Sequence, residues 1–230
     1  MSSSALVSGG TGGLGAAVTQ ALLDGGWRVV VPIYDEAERE RVVAHDRLVL
    51  EPADLMDAQS AAAVVAIAAG DEAAPLRAVV NLVGGFAMGG RVHEMPVEDF
   101  EAQLRLNLRP TYLVCQAALV HLQAAGGGAI VCVSSRAALQ PFAGAAGYVV
   151  SKAAILAFVD VLATEYRDDD IRANAILPSV IDTPANRRSM PDADHARWVA
   201  PEQIAEVVRF LCEDGSAAIS GAHVPVYGRA

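Results

Sequence analysis

The stretch ALVSGGTGGLG, residues 5–15, decides the fold. Three apolar residues lead into a run crowded with glycine, and residues 16–24 then carry an amphipathic helical pattern. A buried strand that breaks at a glycine turn and continues as a helix offers backbone N–H groups and a positive helix end to a pyrophosphate. Glycine permits both the tight turn and the close approach of phosphate oxygens. Gly9, Gly13 and Gly15 are spaced G-x-x-x-G-x-G, unlike the commoner G-x-G-x-x-G, and Thr11 and Leu14 lie inside the turn.

Working outward, apolar runs at 27–33, 47–50, 76–83, 129–134, 171–177 and 220–227 read as strands. Helical patterns fill 57–69, with Asp57 as N-cap, then 96–125, 148–167 and 201–212. Strand and helix alternate throughout, which predicts an α/β fold: a single doubly wound, mostly parallel sheet of about seven strands with helices on both faces. A chain of 230 residues fits one such domain, 1–230. Residues 179–200 show neither period, and a loop of that length reads as a substrate lid.

Hydrophobic residues make up 53% and charged residues 19%, enough to cover both faces of a sheet and leave apolar surface for a subunit partner. A net charge of −10 and a pI near 4.9 exclude nucleic acid as a main partner, since phosphate backbones need a basic face. No uninterrupted apolar stretch is expected to span a membrane, and the first residues carry no basic leader. Cys115, Cys132 and Cys212 are odd in number and set in apolar surroundings, as free thiols of a reducing compartment are, so the expected location is cytoplasmic. The five histidines have no metal-ligand spacing, and no metal site is expected.

The chemistry is read in residues 134–152, SSRAALQPFAGAAGYVVSK. Tyr148 and Lys152 are four apart, one turn along the same helix face. A nearby ammonium favours phenolate, so Lys152 is expected to lower the Tyr148 pKa from its ordinary value of about 10. Ser135, at the end of a buried strand, can hydrogen-bond the same substrate oxygen as Tyr148. Asn107, inside a helix, either faces water or bends the helix and holds a water molecule. The strand at 76–83 ends in Asn81-Leu-Val-Gly84-Gly85, small enough for a cofactor to lie close. At the end of the second strand, where an adenosine ribose is read, stand Ile33 and Tyr34, followed by Asp35 and Glu36. Arg39 and Arg41 lie further on, so the nearer acids favour NAD(H) over NADP(H). A serine hydrolase is not supported, because no G-x-S-x-G elbow exists.

Ser8-Gly9-x-x-x-Gly13-x-Gly15, Asn81-x-x-Gly84, Asn107, Ser135 and Tyr148-x-x-x-Lys152 together resemble the short-chain dehydrogenase/reductase family, in its order and over essentially the whole chain. The resemblance implies a Rossmann-type sheet binding NAD(H) or NADP(H), with Tyr148 as proton donor or acceptor. It implies that Lys152 holds the nicotinamide ribose, Ser135 orients the substrate carbonyl and Asn107 anchors a proton-relay water. By the same likeness Asp54, with Leu55 beside it, matches the adenine contact, and Asn81 steadies the sheet beside the cofactor. Thr183, after Pro178 and Ile181, matches the residue that binds the carboxamide. Ser179 and Ile33 depart from the family pattern, the second leaving no ribose-reading acid.

Residues 177–194 and Gly84-Gly-Phe-Ala-x-Gly-Gly are similar to dihydropteridine reductases, which lack the active-site serine present here as Ser135. The expected activity is therefore hydride transfer between nicotinamide and a small-molecule carbonyl or secondary alcohol. The alternatives are pterin reduction and a cofactor sensor that turns nothing over. The helices at 108–122 and 148–167 are apolar on nearly every side and predict a homodimer or homotetramer.

Overall fold

The computed structural model describes residues 3–229; Met1 and Ser2, part of the segment read as carrying no leader, lie outside it. Seven parallel strands form one sheet: β1 (Ser4–Ser8), β2 (Arg28–Ile33), β3 (Leu48–Pro52), β4 (Leu76–Asn81), β5 (Gly128–Val133), β6 (Ile171–Pro178) and β7 (His223–Val226). Their order is β3-β2-β1-β4-β5-β6-β7. The chain steps outward from β1 to β3, then returns to lay β4 against the other side of β1, pairing Ser8 with Asn81. The connections leaving β1 and β4 therefore run to opposite faces, and a crevice opens between their carboxyl ends. Its floor is the 8–15 turn and the segment after Asn81.

The pleat sorts the core into two layers. Ala5, Val7, Val29, Val31, Ala78 and Val80 face α1 (Gly15–Asp24) and α6 (Pro201–Cys212). Leu6, Val30, Val79 and Ile130 face α2 (Ala58–Ala69), α3 (Val97–Ala124) and α4 (Ala146–Glu165). Asp57 caps α2 as expected, accepting from the Ser60 amide at 2.8 Å. α3 runs unbroken through Pro110, whose missing N–H leaves the Leu106 carbonyl without its usual helical donor.

One expectation is corrected. The 179–200 segment is not structureless: α5 (Pro184–Ser189) starts where the Thr183 hydroxyl accepts from the Asn186 amide at 3.2 Å, and a 3-10 turn follows at His195–Arg197. Six residues make fewer than two helical turns, too few to leave a readable period. α4 is long and apolar enough to cross a membrane by length and composition, but Lys152 and Asp160 interrupt it, so the expectation of no uninterrupted apolar span stands. Its Ser151, Lys152, Ile155, Leu156, Val159 and Leu162 form a buried stripe packed on β5, β6 and α3, the environment of a core helix.

Candidate active site

The glycine turn is as tight as its spacing demands. Gly9 has φ +71°, a Cβ on it would meet the Val83 amide nitrogen at 3.2 Å, and one on Gly15 would collide with the Gly9 carbonyl. Leu14 precedes α1 with no side-chain cap, so among the described residues no side chain caps the N–H groups there. A Cβ on Gly13 would lie 2.9 Å from Thr183 Cγ2. Thr183, with Ile181 and Pro178 leading to it, thus stands over the turn and forms the opposite wall of the crevice. Bare glycines, an uncapped helix start and a bracketing threonine fit a dinucleotide's pyrophosphate.

The adenosine end departs from what the sequence suggested. Ile33 is buried in the core and cannot face a ribose, while Tyr34 is largely exposed to solvent. Asp35 spends a carboxylate oxygen on the Ala37 amide at 2.9 Å, and Glu36 pairs with Arg39 at 2.5 Å. The acid that reaches the site is Glu38, which the sequence reading missed. One of its oxygens accepts from the Thr11 hydroxyl in the glycine turn, and the other from the Tyr34 and Asp35 amides at 3.2 and 3.3 Å. Its signal was present as Asp35-x-x-Glu38, a capping box, which the structure forms. Asp54 is exposed, with one oxygen on the Met56 amide at 2.8 Å, and Leu55 is buried beneath it.

β4 and β5 deliver the other half. Asn81 is buried and receives the Ser8 hydroxyl at 3.4 Å while donating to Cys115 Sγ at 3.3 Å; it ties β1, β4 and α3 together. Asn107 is buried, so the wet-face reading fails. Its Nδ2 donates to the Gly85 and Gln103 carbonyls at 3.1 and 3.0 Å, and its Oδ1 accepts from the Gly85 amide at 3.0 Å. It pins the loop leaving β4. A Cβ on Gly84 would lie 2.5 Å from Asn107 Oδ1 and 3.2 Å from Lys152 Nζ, so only glycine lets these groups share that space.

Ser135 lies just beyond β5, at the start of a 3-10 turn, and its hydroxyl accepts from the Ala137 amide at 3.1 Å. α4 is locked to β5 by the Ser134 hydroxyl donating to the Lys152 carbonyl at 2.7 Å and by Lys152 Nζ donating to the Val133 carbonyl at 3.2 Å. Tyr148 and Lys152 share one helix face, with Nζ 6.0 Å from the phenol ring centre. The electrostatics differ from the sequence expectation. Burial raises the Tyr148 pKa, and the opposing, lowering influence is the Ser135 hydroxyl, not the lysine. Lys152 itself is pulled down to about 8, chiefly by burial and against a smaller opposing effect of Cys132.

Elsewhere, a depression of about 780 Å³ opens at the amino ends of the strands, away from these residues. Its arginines are engaged in structure: Arg77 donates to the Ala125 carbonyl at 2.7 Å and Arg172 to the Leu211 carbonyl at 2.9 Å, each at a helix end.

Comparison with known proteins agrees with this geometry. Residues 9–228 match the family model described as enoyl-(acyl carrier protein) reductase. The chain is 30% identical to 2-(R)-hydroxypropyl-CoM dehydrogenase of Xanthobacter autotrophicus, covering 99% of this chain and 98% of that one. It is 30% identical to D-threitol dehydrogenase of Mycolicibacterium smegmatis, with 97% and 91% covered. A solved 3-ketoacyl-(acyl-carrier-protein) reductase from Brucella melitensis, complexed with NADH, superposes with a TM-score of 0.88 at 26% identity, covering 99% of this chain and 98% of that one. The sheet order, the glycine turn and these relatives together make the chain a member of the short-chain dehydrogenase/reductase family, an NAD(P)-dependent oxidoreductase.

Proposed function

We propose that the protein interconverts a small-molecule ketone and its secondary alcohol, with NAD(H) as the preferred cofactor. The observation that carries the reaction is the meeting of Ser135, Tyr148 and Lys152 at the mouth of the crevice above the glycine turn. When bound, the nicotinamide supplies or accepts the hydride. Tyr148 gives its phenolic proton to the carbonyl oxygen in reduction and takes it back in oxidation. Ser135 donates a hydrogen bond to that same oxygen and steadies its developing charge. Lys152 holds the nicotinamide ribose, and Asn107 keeps the Gly84–Gly85 backbone clear of both. Ser135 beside Tyr148 favours a carbonyl substrate over a dihydropterin, whose reduction does not take place at a carbonyl group and so needs no carbonyl oxygen polarised.

The preference for NAD(H) rests on Glu38. Its carboxylate bridges the glycine turn and the end of β2, where a fixed negative charge accepts from a ribose 2′-hydroxyl and repels a 2′-phosphate. Three free, buried cysteines support a reducing compartment such as the cytoplasm. The exposed Tyr112 and Val120 on α3 and Val150 and Val161 on α4 support a homodimer or homotetramer built on these helices. Fluorescence titration of NADH and NADPH tests the cofactor reading. NADH is expected to bind at least about tenfold tighter, and Glu38→Gln to narrow that gap; tighter NADPH binding by the unaltered protein would contradict it.

A further inference from the structure

Two aromatic rings, one against Tyr148 and the second against the first, play no part in the chemistry above. Phe86 stands edge-on to the Tyr148 ring, centres 5.0 Å apart and planes at 87°, and Phe142 lies 6.3 Å from Phe86. They come from different loops, yet 56% of Phe86 and 46% of Phe142 is exposed. Both loops are stiffly held. The amide of Gly85 is fixed by Asn107 and that of Ala87 by Gln103 at 3.3 Å, so Phe86 sits between two anchored neighbours. The Gly89 amide donates to the Gly144 carbonyl at 2.7 Å, joining the two loops, and Gly144 adopts φ +82°, with the Gly89 oxygen 2.6 Å from where a Cβ would stand. Neither residues 84–90 nor 137–148 include a charged side chain, although the chain carries a net charge of −10.

Rigid, exposed aromatic surface beside the proton donor offers offset or edge contacts to another ring, each worth more than simple burial. An uncharged wall also gives an ionised substrate no partner for its charge. Resting on the carbonyl–alcohol reading, we infer that Phe86 and Phe142 form the substrate wall and select uncharged ketones whose carbonyl belongs to, or adjoins, a six-membered carbon ring. The carbonyl oxygen meets Tyr148 and Ser135 while the ring packs against the two phenylalanines. Reduction moves a hydride to the carbonyl carbon and the Tyr148 proton to its oxygen, giving the ring alcohol and the oxidised cofactor.

The test compares kcat/KM for α-tetralone, 2-butanone and pyruvate in the unaltered protein, Phe142→Ala and Phe142→Leu, with the nicotinamide that binds tighter. The expected order is α-tetralone above 2-butanone by about 100-fold, with pyruvate lowest. Phe142→Ala should cut the tetralone preference about tenfold, mainly through KM, and Phe142→Leu should restore part of it. Equal or better use of 2-butanone or pyruvate, or an unaltered preference in Phe142→Ala, overturns the inference. Saturation-transfer NMR of α-tetralone on the same proteins separates the two readings. Tetralone contact that weakens in Phe142→Ala, with no carbonyl reduced, upholds the wall and refutes the dehydrogenase chemistry; 2-butanone reduced without tetralone contact refutes the wall alone.

Discussion

Lys152 Nζ lies 6.0 Å from the centre of the Tyr148 ring and gives its hydrogen bond to the Val133 carbonyl at 3.2 Å. The pair is close enough to act on one substrate and cofactor, but the lysine does not tune the phenol directly. Ser135 does that, against the opposing effect of burial. The burial of Lys152 has its own consequence, because a proton held at a lower pKa in the folded protein than in the unfolded chain links folding to pH.

Lys152 titrates near 8 when folded and near 10.5 when unfolded. Below pH 8 both states hold the proton, and the folded protein bears the full cost of burying the charge. Between 8 and 10.5 the unfolded chain holds a proton the folded one has released, so this group's contribution to stability rises with pH. Relative to Lys152→Met, the unaltered protein should gain stability from pH 7.5 to 10, with a ceiling of about 3 kcal/mol. Denaturant unfolding of both proteins across that range measures it. A constant difference would mean that the ammonium is not buried.

Gly84 keeps Asn107 and Lys152 together. Gly84→Ala would place a methyl group 2.5 Å from Asn107 Oδ1, breaking its bond to the Gly85 amide or displacing Lys152. We expect kcat to fall at least about tenfold and stability to drop by about 1–3 kcal/mol, the usual cost of overpacking. Steady-state kinetics and thermal unfolding check both; a variant with normal turnover would show that the crowding is relieved elsewhere.

Tyr112 of α3 and Phe158 of α4 pack with ring centres 5.7 Å apart, joining the two helices whose outer faces expose Val120 and Val161. In the proposed homodimer or homotetramer a second copy of the chain covers that surface. Light scattering at micromolar concentration should report a dimer or tetramer, and Val120→Glu with Val161→Glu should shift it to monomer without lowering secondary-structure content. A monomeric unaltered protein would leave this apolar face without its proposed use.

The fold was readable because each strand is a short apolar run bounded by turn residues, and residues 5–15 set the topology of the first crossover. Tyr148 and Lys152 were readable because helical spacing puts residues four apart on one face. What escaped depended on contacts between segments. Ile33 reads as a ribose position by alignment of the strand, but the pleat turns it into the core and Glu38 reaches back from the next turn. Phe86 and Phe142 lie in loops without period, 56 positions apart, and only the Gly89–Gly144 bond and the Tyr148 helix bring them together. The direction of the Tyr148 pKa also depended on burial, which spacing does not reveal.

The central claim is that Tyr148 moves the proton. Tyr148→Phe keeps the ring that meets Phe86 and removes only the hydroxyl, so it separates chemistry from packing. The decisive measurement is kcat of this variant for a ketone it binds, alongside its Kd for NADH. The account predicts a kcat lowered by about 10²–10⁴-fold with a Kd within about twofold of the unaltered protein. Turnover within a few-fold of normal would contradict it.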